Sequence, residues 1–294
     1  RTHKPGVGGS NPPLATTKKF YMSNLSMYCL TLEPSHEKKI IDLSYIPVGL
    51  GTKKFSNNFL SDKTGDNISE KNSYYGEYTF HYWIWKNNLN NIQNEWIGFC
   101  QYRKFWTNKK IIKNDVSFDQ LNNSILKKIP EDYQDYESIL GEPFYINQFR
   151  FTKFLKRNFK KMIFNPSLFI NKEKRNIKFH FDMWHGDGNL EKAINLLGNE
   201  DKNDFYDFVI KNVSFNPHNM FICKSKSLLK SYYDSIFPWL GKCEKIFGFD
   251  NLEGYGLQRI YGFLAERYMS YWFQKNTKYL TLPIFFKDLS EYEL

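Results

Sequence analysis

Three short stretches concentrate side chains that could handle phosphate, sugar hydroxyls or a proton. In "QYRKFW", Gln101 to Trp106, Tyr102 offers a ring and a hydroxyl, while Arg103 and Lys104 offer adjacent cations. A guanidinium meets phosphate oxygens two at a time, so this cluster suits a diphosphate; a solvated strand end is the plainer alternative. In "FDMWHGDGNL", Phe181 to Leu190, Trp184, His185 and Asp187 stand among glycines. There Asp187 either caps the following helix or serves as a base toward an acceptor hydroxyl. In "TGDNISEKN", Asp66 and Asn67 either form a turn or hydrogen-bond ribose and sugar hydroxyls. Glu77 opens the aromatic run that follows, where a carboxylate is favoured by the helix dipole.

The segments around these residues must position them. "SMYCLTLE", Ser26 to Glu33, reads as a first strand, followed by "IPVGLG" from Ile46. "NEWIGFCQYR", from Asn94, is an apolar run with polar flanks and suits a buried central strand; "HNMFICKS", His218 to Ser225, reads as another. Tyr78, Tyr82 and Trp85 fall on one face at helical spacing, which predicts a helix over Tyr74 to Asn88. Further helices are expected over Phe151 to Phe164, Leu190 to Leu197, Asp204 to Lys211 and Leu228 to Phe247. The last helix carries an apolar stripe from Leu257 to Trp272, with Arg259 and Glu266 together off it. Strands alternating with helices imply an α/β domain with a central, mostly parallel sheet flanked by helices. Ligands of such sheets bind beyond the carboxyl ends of the strands, which points to the residues after "WIGFC" and around "NMFI".

Bulk composition narrows the classes. The chain has 294 residues, enough for a sizeable core, and a net charge of +10. Four of those positive charges lie in residues 1–21, so the rest carries +6, compatible with a phosphorylated ligand, a polyanion or an acidic membrane surface. An aromatic share of 18% suggests ring surfaces that stack on sugars or bases. The four cysteines are far apart in sequence, so buried thiols and a cytoplasmic setting are expected. Metal-type Cys/His spacing, H-E-x-x-H and a D-x-D at a strand end are all missing, so no cofactor is expected, a divalent metal being the alternative that no D-x-D motif supports. With no P-loop, G-x-G-x-x-G or G-x-S-x-G, kinase, dehydrogenase and serine hydrolase readings lose their support.

"VGGSNPPLATT", Val7 to Thr17, differs in composition from the Asn/Lys/Phe-rich remainder. Gly-Ser-Asn-Pro back-translates to the T-arm sequence of a transfer RNA. Residues 1–21 are therefore read as a leader without function, and residues 22–294 as one functional domain.

"GDNISEKN", "YGEYTFHYWIWKN", "WIGFCQYRKFW", "HNMFICKS" and "YGFLAERYMSYW", in that order, make the chain resemble the bacterial capsular-polysaccharide glycosyltransferase family catalogued as DUF4422. The resemblance runs from about Met27 to Phe285. It implies a GT-A-like fold that binds a nucleotide sugar, a UDP-sugar by default. The sugar would pass to an oligosaccharide or polysaccharide acceptor of a growing capsular or lipopolysaccharide glycan. The setting would be cytoplasmic, with peripheral contact at the inner face of the plasma membrane and no nucleic-acid partner. The family's C-H-Y-R-R pattern is Cys100, Gln101, Tyr102, Arg103, Lys104 here, which keeps the Tyr-Arg pair and replaces the His. On this reading Asp66, Asn67, Tyr102, Arg103, Lys104 and Asn219 bind the donor, and Tyr82, Trp184 and His185 face the acceptor. Asp187 is then the favoured catalytic base and Glu266 the second candidate. A non-enzymatic glycan- or nucleic-acid-binding module, or an inactive scaffold of a capsule-assembly complex, are the competing readings.

Overall fold

In the computed structural model, residues 24–112, 115–148, 171–250 and 252–293 are described. The leader and the helix expected over Phe151 to Phe164 lie outside them. The first half contains β1 (Leu25–Thr31), α1 (Glu37–Asp42), β2 (Ile46–Gly49), β3 (Leu60–Ser61), α2 (Asn72–Tyr75) and α3 (Tyr78–Trp83). It continues with β4 (Trp96–Gln101), β5 (Lys104–Trp106), α4 (Phe118–Ser124), β6 (Ser138–Gly141) and β7 (Phe144–Tyr145). The second half contains α5 (Ile177–His185), α6 (Asn189–Ile194), α7 (Asn199–Lys211), β8 (Ser214–Phe215), β9 (Phe221–Lys224) and α8 (Lys226–Phe247). It closes with α9 (Gly254–Gln258), α10 (Ile260–Asn276), β10 (Tyr279–Leu282) and β11 (Ile284–Phe286).

The main sheet has the order β10-β6-β9-β4-β1-β2-β3. Pairing is parallel between β1 and β2, β1 and β4, β2 and β3, and β10 and β6. Within this row β9 runs against its neighbours β4 and β6, so the carboxyl ends of the other six strands share one edge with the start of β9; β5 adds on antiparallel to β4, and β11 antiparallel to β5. β1 and β4 are buried along their whole length, as their continuous apolar runs require when helices cover both faces. The expected central strand is β4, two residues shorter at each end than the quoted stretch.

Each face of the sheet buries its own core. On one, Phe99 and Phe221 pack with Phe80, Tyr232 and Phe273 from α3, α8 and α10. On the other, Trp96, Cys100 and Ile222 pack with Ile40, Leu121 and Tyr292. Five of the seven tryptophans (Trp83, Trp96, Trp106, Trp239 and Trp272) are buried. The aromatic excess is therefore spent mainly on filling two wide layers, and not on ligand surfaces as its share suggested. All four cysteines are buried free thiols. Among the described residues, no helix is long and apolar enough to cross a membrane.

Two helices differ from expectation. The helix foreseen over Tyr74 to Asn88 is broken at Gly76, whose φ of 58° and ψ of −130° are not helical. A side chain at Gly76 would collide with the Arg259 guanidinium, so the break makes room for a cation arriving from α9–α10. α3 then continues as a π-helical turn over Ile84–Asn88. The C-terminal helix is likewise divided at Arg259, into α9 and α10. By contrast, α8 runs for 22 residues through Pro238.

Phe221 sits where the layers meet, its ring 4.7 Å from Phe273 and 5.0 Å from Phe99. Replacing Phe221 by Ala should lower unfolding free energy by about 3–5 kcal/mol. Urea denaturation measures this, and a loss below about 1 kcal/mol would contradict the packing described.

Candidate functional site

At the carboxyl edge of the sheet, the last side chain of β4 holds three segments together. Gln101, 6% exposed, donates through Nε2 to Glu77 Oε1 at 2.8 Å and to the His218 carbonyl at 3.1 Å. Tyr102 and Arg103 then form the turn into β5, where Lys104 pairs with Gln101. This turn is tied on both sides. Tyr102 N donates to Leu30 O at 3.0 Å, while Leu289 N and Lys287 N donate to the Tyr102 and Arg103 carbonyls. The Tyr102 ring also lies 5.1 Å from that of His36, which bridges Thr31 Oγ1 and Ser290 Oγ at 2.8 Å each.

The turn brings cations from two segments to one place. Arg103 is exposed and, among the described residues, pairs with no carboxylate. Lys104 is half-buried, and burial lowers its pKa below the usual lysine value. The Glu77 and Glu266 carboxylates oppose that shift, whereas Arg103 and Arg259 add to it. Arg259, where α9 meets α10, reaches Glu77 Oε2 at 3.5 Å. Glu266 accepts from the His218 backbone N–H at 2.5 Å and from the Arg267 guanidinium. Arg267 is itself 2% exposed and lies 4.2 Å over the Phe215 ring. Glu266 is thus committed to Arg267, and Glu77, shared between Gln101 and Arg259, is the other carboxylate that acts on Lys104. The excess is positive, which suits a polyanion such as a diphosphate.

His218 and Asn219 complete the edge. Both have left-handed backbones, with φ of 80° and 53°, a conformation costly outside glycine. It turns the His218 N–H toward Glu266 while its carbonyl meets Gln101. Burial, with Lys104 and Arg103 nearby, pushes the His218 pKa down to about 3, so its imidazole is neutral at physiological pH. Asn219 donates to Gly262 O at 3.2 Å, while its buried Oδ1 has no hydrogen-bond partner among the described residues.

The family model for a domain of unknown function, DUF4422, matches residues 34–277. This chain belongs to the DUF4422 family. No curated protein matches it. Among solved structures the DUF4422 chain is similar to the apo structure of WbbM, a bifunctional glycosyltransferase, with a TM-score of 0.58 at 18% identity. The likeness covers 89% of this chain and 45% of that one, so the chain spans less than half of that protein. At this identity the likeness shows a shared fold.

Of the residues singled out in the sequence, the DUF4422 fold gathers Tyr102, Arg103, Lys104, Asn219 and Glu266 at this edge. Asp66 and Asn67 belong elsewhere. Asp66 accepts from Tyr82 OH at 3.2 Å and from Asn87 Nδ2 through its carbonyl. Those residues follow Glu77 by five and ten positions, roughly 8–15 Å along the helix. Asn67 caps the turn at Ser69, accepting from its N–H and hydroxyl. Tyr82 packs edge-on against Phe237, with its hydroxyl on Asp66. His185 is 4% exposed, stacks 4.0 Å from Phe263 and meets Gly256 O through Nδ1, so it is a core histidine. Trp184 is half-buried on α5, with its carbonyl close against Gly256. Asp187 is exposed between α5 and α6, and Asp182 accepts from the Gly188 N–H at 3.2 Å.

Gln101, Arg259 and His218 were given no site role in the sequence, and Glu77 was read only as a dipole partner. The seven-residue spacing of Arg259 and Glu266 was the one available signal, since it places both on one helix face. Among the described residues, no group of His, Cys, Asp or Glu is arranged to hold a metal ion.

Buried histidines give the fold a signature in acid. Burial pushes His81, His185 and His218 each down to about 3. Between that value and the ordinary 6.5, the unfolded chain binds more protons than the folded one, so stability is lost as pH falls below about 6.5. Each histidine removes at most about 1.4 kcal/mol per pH unit. The urea midpoint should therefore drop between about pH 7 and pH 5; a constant midpoint would mean that these rings are solvated.

Proposed function

We propose that this chain is a glycosyltransferase of GT-A-like architecture. It moves a sugar from a nucleoside-diphosphate donor, UDP by default, to a growing capsular or lipopolysaccharide glycan. One observation carries the reading: Arg103, Lys104 and Arg259 converge beyond the carboxyl end of β4, where open α/β sheets bind ligands. The fold shared with a bifunctional glycosyltransferase supports it.

In this reading the donor diphosphate lies against the Tyr102–Arg103 turn. As the bond from the anomeric carbon to the phosphate oxygen breaks, negative charge grows on the leaving diphosphate. Arg103 and Lys104 meet that charge from fixed positions, and a preorganised cation stabilises it without reorganisation. Transfer is then independent of a divalent metal. Asp187, exposed on the α5–α6 turn, is the proposed base that takes the proton of the acceptor hydroxyl if configuration inverts. Glu266 has both oxygens engaged, by His218 and Arg267, so it positions the His218 segment and the base role falls to Asp187. Contact with the inner face of the membrane is part of the proposal and would rest on the net positive charge.

A thermal-shift panel of nucleoside diphosphates and nucleotide sugars in EDTA tests the donor site, since a ligand of the folded state raises the melting temperature. UDP-sugars should stabilise the protein, and Arg103→Ala should weaken their binding by on the order of 10- to 100-fold. Binding or turnover that disappears in EDTA and returns with manganese would reject metal independence. No response to any nucleotide would favour a glycan-binding module.

Asp187→Asn should lower kcat by about 100-fold or more while leaving the melting temperature unchanged, because the side chain is exposed. A near-normal rate would remove Asp187 from this role.

A further inference from the structure

Phe286 takes no part in the reading above. β11 runs antiparallel to β5, and its register sets Phe286 directly opposite Lys104. Directly opposed residues project to the same face of the ribbon, with Cβ atoms about 4.5–5.5 Å apart. The ring therefore stands beside the half-buried cation of the strand-end cluster. The His218 ring meets it nearly edge-on, at 5.2 Å and 81°, which fixes its orientation. Phe285, one position earlier, points the other way and is 9% exposed, whereas Phe286 is 57% exposed. A large apolar face is thus left open to water beside the cationic cluster, although most aromatic rings of the described residues are buried.

Resting on the glycosyltransferase reading, we propose that Phe286 is the platform on which a sugar ring stacks next to the donor diphosphate. One face of a hexose presents several C–H groups, and the negative face of an aromatic ring attracts them while shedding water. Lys104 on the same ribbon face holds the charged part of the ligand, so ring and phosphate are gripped a few ångströms apart. The sugar is either the hexose of the donor or the terminal residue of the acceptor.

The test compares the intact protein with Phe286→Leu and Phe286→Tyr. Calorimetric titrations use UDP and a panel of UDP-hexoses, and transfer is followed with a panel of hexose disaccharides as acceptors. An exposed position tolerates both changes, so equal melting temperatures are expected. If the donor hexose stacks, Leu raises the Kd of a UDP-hexose about tenfold, equivalent to ~1.4 kcal/mol, relative to that of UDP. If the acceptor stacks, the donor Kd holds and the acceptor KM rises by a similar factor. Either result supports the platform, and Tyr should restore most of the loss. Equal behaviour of the parent protein and the Leu variant, in a protein that binds UDP-hexoses and transfers, overturns it. So does an equal weakening of UDP itself, which would trace the effect to Lys104. A parent protein that binds neither UDP nor any UDP-hexose overturns the transferase reading instead, and the platform with it.

Discussion

The carboxamide of Gln101 gathers the candidate site. Its NH₂ group meets a carboxylate at the start of α3 and a carbonyl just before β9, at 2.8 and 3.1 Å. A carboxamide has two N–H donors on one atom, so it satisfies both acceptors while remaining neutral. A histidine here would need to be protonated before both of its ring nitrogens donated. Because Gln101 is the last residue of β4, the turn that follows inherits this position, and with it the placement of Arg103 and Lys104. The segment from Ile284 to Tyr292 closes the other side through Lys287 and Leu289. A two-residue turn held at every carbonyl has little freedom, which is what a preorganised charge site requires.

Charge burial behind the turn follows the same logic. Arg267 is almost fully enclosed, yet Glu266, His180 and the Phe215 ring surround its guanidinium. Taking such a pair out of water costs about as much as the attraction returns, so its worth lies in placing Glu266 and not in net stability. Glu266 in turn holds the His218 N–H in a strained backbone. His180 and His218 stay neutral because they are buried beside cations, which avoids adding positive charge to an already cationic edge. Two of the four left-handed non-glycine backbones among the described residues, His218 and Asn219, thus stand at the carboxyl edge of the sheet with the enclosed Glu266–Arg267 pair.

Much of this was legible in the sequence. The uninterrupted run from Trp96 to Gln101 marked a strand covered on both faces, and Arg103 and Lys104 stood at its end. The stripe along α10 marked one core-facing side, but the helix is buried on nearly all sides and Glu266 is enclosed with Arg267. Other residues misled because their local pattern had two meanings. Asp66 and Asn67 look the same whether they grip a ligand or shape a turn, and here Asn67 caps the turn at Ser69 while Asp66 accepts from Tyr82 OH. His185 has the chemistry of an acid-base group, but the packing of Phe181 and Phe263 decides that it is neutral core.

The sequence by itself determined the class of layered sheet, its inner strand, and the presence of paired cations where that strand stops. These follow from periodicity and composition within single segments, which a one-dimensional reading can follow. Tertiary structure alone decided that Glu77, Arg259, His218 and Phe286 stand around those cations. They come from segments as far apart as α3 and β11, and only the long-range pairing of strands and the meeting of helix ends brings them together. No spacing rule within one segment encodes such a register, because it is set by the packing of the whole sheet.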